Sequence, residues 1–290
     1  MIKNDTFPGM LNDTTHARLR RAYYACVSWM DSQLGVVLDA LDSSGAAENT
    51  WVVVVGDHGW SLGEHGNWAK QQLFENSLRV PMIIAPPRGA VGWRVNVTVD
   101  VIVEALDLFP TVLDVLGLAD SPLLPTGQLD GRSLAAFLRT KTVTSTFPAA
   151  FSQIVRGDRP CQSPESESYP SPQSQDSDPS HSNEIFDEGS LPPCIMGLTV
   201  RIQGYRYTAW VHFAYGAATG GTTGPLWDQV VGEELYDHVR SDSHPPDVMD
   251  PGLSYDDESE NVNVAAEASY GALKVQLLQL LKSGFPHRNH

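Results

Sequence analysis

Four consecutive valines, Val52–Val55, follow Trp51 and end at Gly56. A continuous run of β-branched residues is typical of a strand that is buried on both faces of a sheet. A second apolar run spans residues 80–85 and ends at Pro86. Two short runs of this kind predict interior strands of a sheet, and such a sheet needs helices to cover its faces.

The neighbouring segments supply those helices. From Thr15 to Leu41, apolar residues recur at spacings of three and four, which predicts one long helix with a single apolar face. A third candidate strand spans 95–103, and a second helix spans 104–116 and is closed by Gly117. The order helix, strand, loop, strand, helix predicts an α/β fold.

Residues 162–193 differ from the rest of the chain. They contain nine serines, six prolines and seven acidic residues but no lysine or arginine. Such a segment cannot bury enough apolar surface to offset the entropy cost of ordering, so we expect a disordered insertion over 156–195. Cys161 and Cys194 flank it, and both a disulfide between them and two free thiols remain open.

After the insertion the chain becomes strand-like again. Candidate strands at 196–202 and 205–213 are separated by Gln203-Gly204, which suits a hairpin turn. A short strand at 234–237 and a helix at 265–281 follow. We therefore expect three parts: an α/β part at 1–155, the insertion at 156–195, and a small α+β subdomain at 196–290.

The net charge of −16 comes from two segments, because residues 162–193 contribute −7 and residues 233–260 contribute −9. An acidic chain is not expected to bind nucleic acid, which lysine and arginine hold. No apolar run approaches the ~20 residues of a membrane-spanning helix. The first residues lack the apolar segment of a signal peptide, yet glycosylation sequons begin at Asn4, Asn12 and Asn96. This mismatch predicts that the true amino terminus lies upstream.

The densest group of polar residues lies in the loop after the first predicted strand. Asp57 and His58 stand at the carboxyl end of that strand, where open α/β sheets bind ligands, and Lys70 follows. An Asp, a His and a Lys together suit metal-assisted chemistry on an anionic ester. Glu64 and His65 are candidates to orient such ligands. The alternative is that Asp57 is a turn residue and His58 a structural histidine.

This loop resembles the sulfatase family, most closely its iduronate-2-sulfatase branch. The matching motifs are Asp-His-Gly-Trp at 57–60, Leu-Gly-Glu-His-Gly at 62–66 and Trp-Ala-Lys at 68–70. Six further segments resemble the family in the same order along the chain: 23–35, 79–83, 107–114, 130–134, 205–210 and 234–237. The resemblance covers most of the chain except the predicted insertion.

The resemblance implies the carboxyl-terminal portion of an alkaline-phosphatase-like sheet domain followed by the small subdomain. Asp57 and His58 are then ligands of a divalent cation, Ca²⁺ in the family, and Lys70 contacts the sulfate of the substrate. Residue types alone leave the metal open, because Ca²⁺ prefers oxygen ligands whereas imidazole suits Zn²⁺. The implied partner is a sulfated sugar or polysaccharide such as a glycosaminoglycan, and the implied location is lysosomal or secreted.

The chain departs from the family at the nucleophile, a formylglycine made from Cys or Ser in a C-x-P-S-R motif. None of Cys26, Cys161 and Cys194 stands in such a motif. The upstream Asp pair, Arg, Lys and His of the family are also missing from the 56 residues before Asp57. We therefore expect a sulfuric ester hydrolase represented by an incomplete chain that is inactive alone, with formylglycine only in a full-length form.

Two other functions stay open. The missing nucleophile also fits a non-catalytic sulfatase remnant or binding protein. A related phosphoesterase with a two-metal site is the third possibility, with Glu64 and His65 as the nearby candidate ligands. Without upstream strands, strand 52–55 is expected to lack neighbours and to expose its edges.

Overall fold

The computed structural model describes residues 12–121, 129–140, 149–156, 194–214, 222–239 and 260–285, together with the backbone of 288–289. Residues 157–193 of the predicted insertion lie outside these residues, whereas Arg156, Cys194 and Ile195 belong to strands, which contradicts disorder at these three positions. Cys161 and the side chain of Cys194 also lie outside the described residues, so a disulfide between them and two free thiols both remain open. The described residues form two units. The first contains 12–150 with 260–261, and the second contains 151–239 with 262–289.

The first unit mixes helices with short strands. Its elements are α1 (Asp13–Ser43), β1 (Val52–Val55), β2 (Ser61–Leu62), β3 (Trp68–Ala69), α2 (Glu75–Leu78), β4 (Met82–Ala85), α3 (Leu108–Val115) and α4 (Ala135–Arg139). Single 3₁₀ turns occur at Ala46–Asn49, Glu64–Gly66 and Ala105–Asp107.

The long amino-terminal helix is confirmed. Asn12 caps it, because its side-chain oxygen accepts a hydrogen bond from the Thr15 N–H at 2.9 Å. Gly45 follows its end with a left-handed φ of +75°. No residue of α1 is buried, and the apolar stripe is 37–63% exposed at Leu19, Val27, Met30, Val37 and Leu38. None of the described helices has the length and apolar character to cross a membrane.

Strands β1 and β4 form a two-stranded antiparallel sheet in which Val52 faces Ala85 and Val55 faces Met82. Both strands were predicted, but burial on both faces was wrong, because Val53 and Val55 are 39% and 40% exposed. The expectation that β1 lacks neighbours was wrong for one edge, which β4 pairs, whereas no described strand pairs with its other edge, as expected. The antiparallel direction places the carboxyl end of β1 beside the amino end of β4.

Residues 95–103 form no strand, which contradicts the prediction. Asn96 adopts a φ of +54° and so breaks the extended backbone. The helix predicted over 104–116 is confirmed as a 3₁₀ turn followed by α3, and Gly117 ends it with a φ of +70°.

Two motifs of the first unit lock together through buried hydrogen bonds. The carboxylate of Asp107 accepts the N–H groups of Glu104 at 2.9 Å and Arg132 at 2.7 Å. The Thr111 hydroxyl accepts the Leu134 N–H at 2.8 Å. Asp107 and Thr111 are each 1% exposed. Side chains of motif 107–114 thus accept the hydrogen bonds of two backbone N–H groups in motif 130–134. Residues 132–134 form no regular secondary structure that would otherwise pair these groups.

The second unit is a five-stranded sheet in the order β5-β6-β7-β8-β9 with one packed helix. Its elements are β5 (Ala150–Arg156), β6 (Cys194–Ile202), β7 (Tyr205–Ala214), β8 (Thr222–Asp237), a 3₁₀ turn (Ala268–Tyr270), α5 (Gly271–Gly284) and β9 (Arg288–Asn289). The predicted hairpin between β6 and β7 is confirmed, with Gly204 at a φ of +85°. Its core side chains, at most 2% exposed, include Leu198, Val200, Tyr207, Val211, Leu235, Leu277 and Leu281.

Two boundaries differ from the prediction. Strand β8 has 16 residues instead of four. Helix α5 begins at Gly271 instead of at 265, because the Asn263 side chain accepts the N–H groups of Leu235 and Ala265, each at 3.0 Å. These bonds hold the chain before the helix against β8.

A partly buried polar contact ties α5 to the sheet. Glu233 of β8 accepts a hydrogen bond from the Tyr207 hydroxyl at 2.6 Å and one from Lys274 Nζ at 2.9 Å. Partial burial alone would raise the pKa of Glu233, but these two donors outweigh it and hold the pKa below its ordinary value of 4.5. Burial, followed by the bond to Glu233, raises the pKa of the Tyr207 hydroxyl.

This contact predicts a specific acid sensitivity. Because the pKa of Glu233 is lower in the folded state, its ionised form stabilises the fold above about pH 4.5, and that contribution is lost as the pH falls further. Between about pH 5 and pH 3, the free energy of unfolding should fall less steeply for Glu233→Gln than for the parent chain. Urea titrations followed by circular dichroism measure both slopes. Gln229→Ala, at an exposed uncharged residue on the same strand, changes no titratable group and should keep the parent slope. Equal slopes for Glu233→Gln and the parent chain would contradict the prediction.

Candidate functional site

The structure places Asp57 and His58 directly after β1. The Asp57 side chain is 87% exposed and that of His58 is 33% exposed. Asp57 Oδ1 accepts the His58 N–H at 2.9 Å, and Asp57 Oδ2 lies 3.4 Å from His58 Nε2. The two side chains therefore converge on one point beyond the end of the strand.

The imidazole of His58 is fixed by its own loop. Its Nδ1 lies 2.8 Å from the carbonyl oxygen of Gly59. A carbonyl oxygen can only accept, so Nδ1 carries the proton in this contact and Nε2 keeps its lone pair in the neutral ring. This is the tautomer that a metal ligand requires.

The spacing of the pair fits one cation. Two ligand atoms that bind Ca²⁺ at right angles lie about 3.3 to 3.7 Å apart, since the bonds are about 2.3–2.6 Å long. The 3.4 Å between Asp57 Oδ2 and His58 Nε2 lies in that range. Among the described residues, no group of three His, Cys, Asp or Glu ligand atoms includes either residue. Of these residue types, the described residues therefore offer two candidate ligand atoms at this point.

Backbone contacts with the start of α2 fix the loop. The Gly59 N–H donates to the Ser77 carbonyl at 2.8 Å, and the Trp60 N–H donates to the Asn76 carbonyl at 3.1 Å. A Cβ atom on Gly59 would lie 2.0 Å from the carbonyl oxygen of Asn76. Only glycine allows this approach, which sets the position of the preceding Asp57 and His58.

Glu64 and His65 lie further along the same loop. Glu64 Oε2 accepts the Leu62 N–H at 2.5 Å, and the ring of His65 stacks on Phe74 with centroids 3.8 Å apart. In the nearby contact between the loop and α2, Asn76 Nδ2 donates to the Ser61 hydroxyl at 3.1 Å. In the structure Glu64 accepts a hydrogen bond from the loop backbone, and the orientation of Asp57 and His58 by Glu64 and His65 stays a prediction.

The small sheet of β2 and β3 sets the position of the Lys70 backbone. Ser61 faces Ala69 in this antiparallel sheet, so Lys70 follows at the register position next to Trp60. The Lys70 side chain is exposed. Ala69 and Gln71 on either side of it have φ values of +72° and +74°. Such residues cost of order 1 kcal/mol each and are concentrated at functional loops.

Helix α1 also contacts the loop. Arg20 Nε donates to the Leu62 carbonyl at 2.8 Å, and the rings of Tyr23 and His58 each stack with Trp60 at 6.3 Å between centroids. Sequence reasoning missed these bracing residues and also Asn76. The helical period of α1 shows which residues share a face, but it does not show which loop that face contacts.

Comparison with known proteins gives consistent matches. Residues 3–118 match the family model described as Sulfatase. The chain is 30% identical to iduronate 2-sulfatase of Mus musculus over 233 residues, which are 71% of this chain and 40% of the relative. It is 31% identical to iduronate 2-sulfatase of Homo sapiens over 226 residues, 68% of this chain and 38% of the relative. The choline-sulfatase of Rhizobium meliloti (strain 1021) is 35% identical over 136 residues, 46% of this chain and 25% of the relative.

Solved structures match over nearly the whole chain. Phosphonate monoester hydrolase of Agrobacterium radiobacter superposes with a TM-score of 0.60 at 24% identity, covering 91% of this chain and 40% of that one. A protein solved in complex with its substrate D-glucosamine-2-N,6-O-disulfate superposes with a TM-score of 0.59 at 22% identity, covering 94% and 42%. These identities show the fold alone, and the expected α/β, alkaline-phosphatase-like fold is confirmed.

The chain thus spans about 40% of the length of the iduronate 2-sulfatases that it matches. The family match includes the Asp57–His58 pair, Lys70 and the loop that joins them. The matched segment, residues 3–118, belongs to the sulfatase family.

Proposed function

We propose that this chain forms part of a sulfuric ester hydrolase of the iduronate-2-sulfatase type. In this proposal Asp57 and His58 bind a divalent cation, Ca²⁺, and Lys70 contacts the sulfate group. The observation that carries the proposal is the convergence of Asp57 Oδ2 and His58 Nε2 at 3.4 Å, with the ring fixed by the Gly59 carbonyl. The family match over the same residues supports it.

The bound cation would supply Lewis-acid neutralisation of the negative charge on the sulfate oxygens. Asp57 and His58 hold it in place, because the contacts of Gly59 and Trp60 with α2 fix the loop before any ligand arrives. Lys70 carries a mobile ammonium group that donates hydrogen bonds to a sulfate oxygen. Its exposure lets it reach a substrate in front of the loop.

The substrate class in this proposal is a sulfate ester on a sugar, as in glycosaminoglycans. Two relatives carry the name iduronate 2-sulfatase, and one structural neighbour was solved with a disulfated glucosamine as its substrate. A lysosomal or secreted location follows from the same proposal.

A second candidate function is sulfate-ester binding without turnover. It concerns this chain alone, whose 290 residues contain the Asp57–His58 pair and Lys70 but no C-x-P-S-R motif. Both candidates use the same cation and sulfate contacts, so they differ in turnover and not in binding.

Calorimetric titration of the full chain with D-glucosamine-2-N,6-O-disulfate tests the shared contacts. Binding should require Ca²⁺ and disappear in a chelator. Asp57→Asn should abolish the Ca²⁺-dependent binding of the ester, because the new side chain keeps the shape of aspartate but loses its charge. Lys70→Gln should weaken ester binding about tenfold, the effect of one charge-assisted hydrogen bond of about 1.4 kcal/mol, and leave Ca²⁺ binding unchanged.

Asp31→Asn is the matched control, since Asp31 is an exposed carboxylate on α1, and it should behave as the parent chain. Equal ester binding with and without Ca²⁺ would contradict the proposed site. Tighter binding of glucosamine 6-phosphate than of the sulfate would favour the phosphoesterase reading. No sulfate release is expected from this chain, and release that Asp57→Asn abolishes would overturn that expectation.

A further inference from the structure

The connection from β4 to α3 contains an exposed sequon, Asn96-Val97-Thr98. Residues 94–104 have no regular secondary structure, and the three sequon residues are all exposed. The central residue is valine and not proline, as transfer of an N-linked glycan requires. An oligosaccharide is bulky and polar, so it needs a surface loop of this kind.

The base of this loop is firmly held. The Arg94 N–H donates to the Leu138 carbonyl at 2.7 Å, and Arg94 Nη1 donates to the carbonyls of Phe137 at 3.1 Å and Thr140 at 3.0 Å. Trp93 packs edge-on against Trp51, with 4.7 Å between ring centroids. The anchor therefore ends two residues before Asn96, and a glycan on Asn96 displaces none of these contacts.

The backbone at Asn96 also suits an exposed attachment point. Its φ of +54° lies in the left-handed region, which asparagine tolerates better than most residues. On either side, Val95 is 62% exposed and Val97 is 45% exposed. An attached oligosaccharide would shield these two apolar side chains from water.

The sequon at Asn12 has a different environment. The Asn12 side-chain oxygen accepts hydrogen bonds from the N–H and the hydroxyl of Thr15, at 2.9 and 3.1 Å. Asp13 and Thr14 already belong to the first turn of α1. This sequon therefore lies on a helix cap and not in a loop. The third sequon, at Asn4, lies outside the described residues.

We propose that Asn96 carries an N-linked oligosaccharide in the folded chain. Transfer forms a bond between Asn96 Nδ2 and the anomeric carbon of the first N-acetylglucosamine. The bond from that carbon to a phosphate oxygen of a lipid diphosphate carrier breaks, and the lipid diphosphate leaves. A base of the transferase takes one amide proton. The proposal does not depend on the catalytic activity of the chain.

The test expresses the full chain behind a cleavable secretion signal in cultured animal cells. Digestion with peptide N-glycosidase in ¹⁸O-labelled water converts each glycosylated Asn to labelled Asp, which mass spectrometry locates. The label is expected at residue 96 in more than half of the secreted molecules. Thr98→Ala should remove the label while keeping Asn96, and Thr98→Ser should restore it.

Thr14→Ala is the matched control, because it destroys the sequon on the helix cap and should leave the glycosidase-dependent gel shift of the chain largely unchanged. A label at Asn12 or Asn4 with none at Asn96 would overturn the proposal. A secreted chain with no label at any sequon would overturn it as well. Should Thr98→Ala reduce secretion, microsomal translation of the same variant still reports occupancy at Asn96.

Discussion

Replacing Gly59 by alanine should destabilise the first unit by about 3 kcal/mol, the upper range for forcing extra volume into a packed site. The added Cβ would lie 2.0 Å from the Asn76 carbonyl oxygen and 2.8 Å from its carbonyl carbon. These are backbone atoms that cannot rotate away. The hydrogen bonds from the N–H groups of Gly59 and Trp60 to α2 must then lengthen or break.

The same variant should also lose Ca²⁺-dependent ester binding, because Asp57 and His58 precede the displaced residue. Chemical denaturation followed by tryptophan fluorescence measures the stability change, since Trp60 and Trp68 both lie in this loop. Gly35→Ala is the matched control: its Cβ meets nothing within 4 Å, and it should stabilise α1 by about 0.5–1 kcal/mol. An unchanged Gly59→Ala protein would mean that the loop does not pack on α2 in solution.

Replacing Asp107 by alanine should lower the free energy of unfolding by about 3 kcal/mol or more. Two backbone N–H groups lose their acceptor, and each buried N–H group without an acceptor costs about 1–3 kcal/mol. Those groups belong to Glu104 and Arg132. Asp107 is 1% exposed, so little water can replace the carboxylate. We expect the hydrogen bonds between residues 107–114 and 130–134 to be lost together.

Asp107→Asn should cost less, since its amide oxygen can still accept one of the two N–H groups. Hydrogen exchange of the amides of Arg132 and Leu134 reports the hydrogen bonds between the two segments directly, and both should exchange faster in Asp107→Ala. Asp31→Ala on the exposed face of α1 serves as the control and should change stability by less than about 0.5 kcal/mol. Unchanged protection at Arg132 would show that Asp107 does not hold that segment.

The elements that depend on a clear pattern among neighbouring residues were predicted correctly. The valine run predicted β1, the Gln203-Gly204 turn predicted the hairpin of β6 and β7, and the apolar period predicted α1. Each of these depends on residues that are close in sequence. The false strand at 95–103 arose because a single left-handed residue, Asn96, breaks an otherwise apolar pattern, and propensity does not show that φ in advance.

Contacts between residues that are far apart in the chain were harder to predict from the sequence. The antiparallel pairing of β1 with β4 depends on the path of the chain between them and not on their composition. The role of Asn76 rests partly on its backbone carbonyl, and a backbone contact requires no particular side chain. The Asp57–His58 pair could be nominated because adjacent residues at a strand end must lie close together. Its 3.4 Å separation and the fixed imidazole needed coordinates.

The exposed apolar side chains of α1 affect how the protein behaves at different concentrations. Five aliphatic and thioether side chains along one face of a 31-residue helix remain 37–63% in water, and contiguous apolar surface of this kind favours contact with other molecules. Association through it would make the apparent melting temperature rise or fall with protein concentration. Measured stabilities of this chain therefore have meaning only at a stated protein concentration, and dilution is the first variable to scan when its solutions turn turbid.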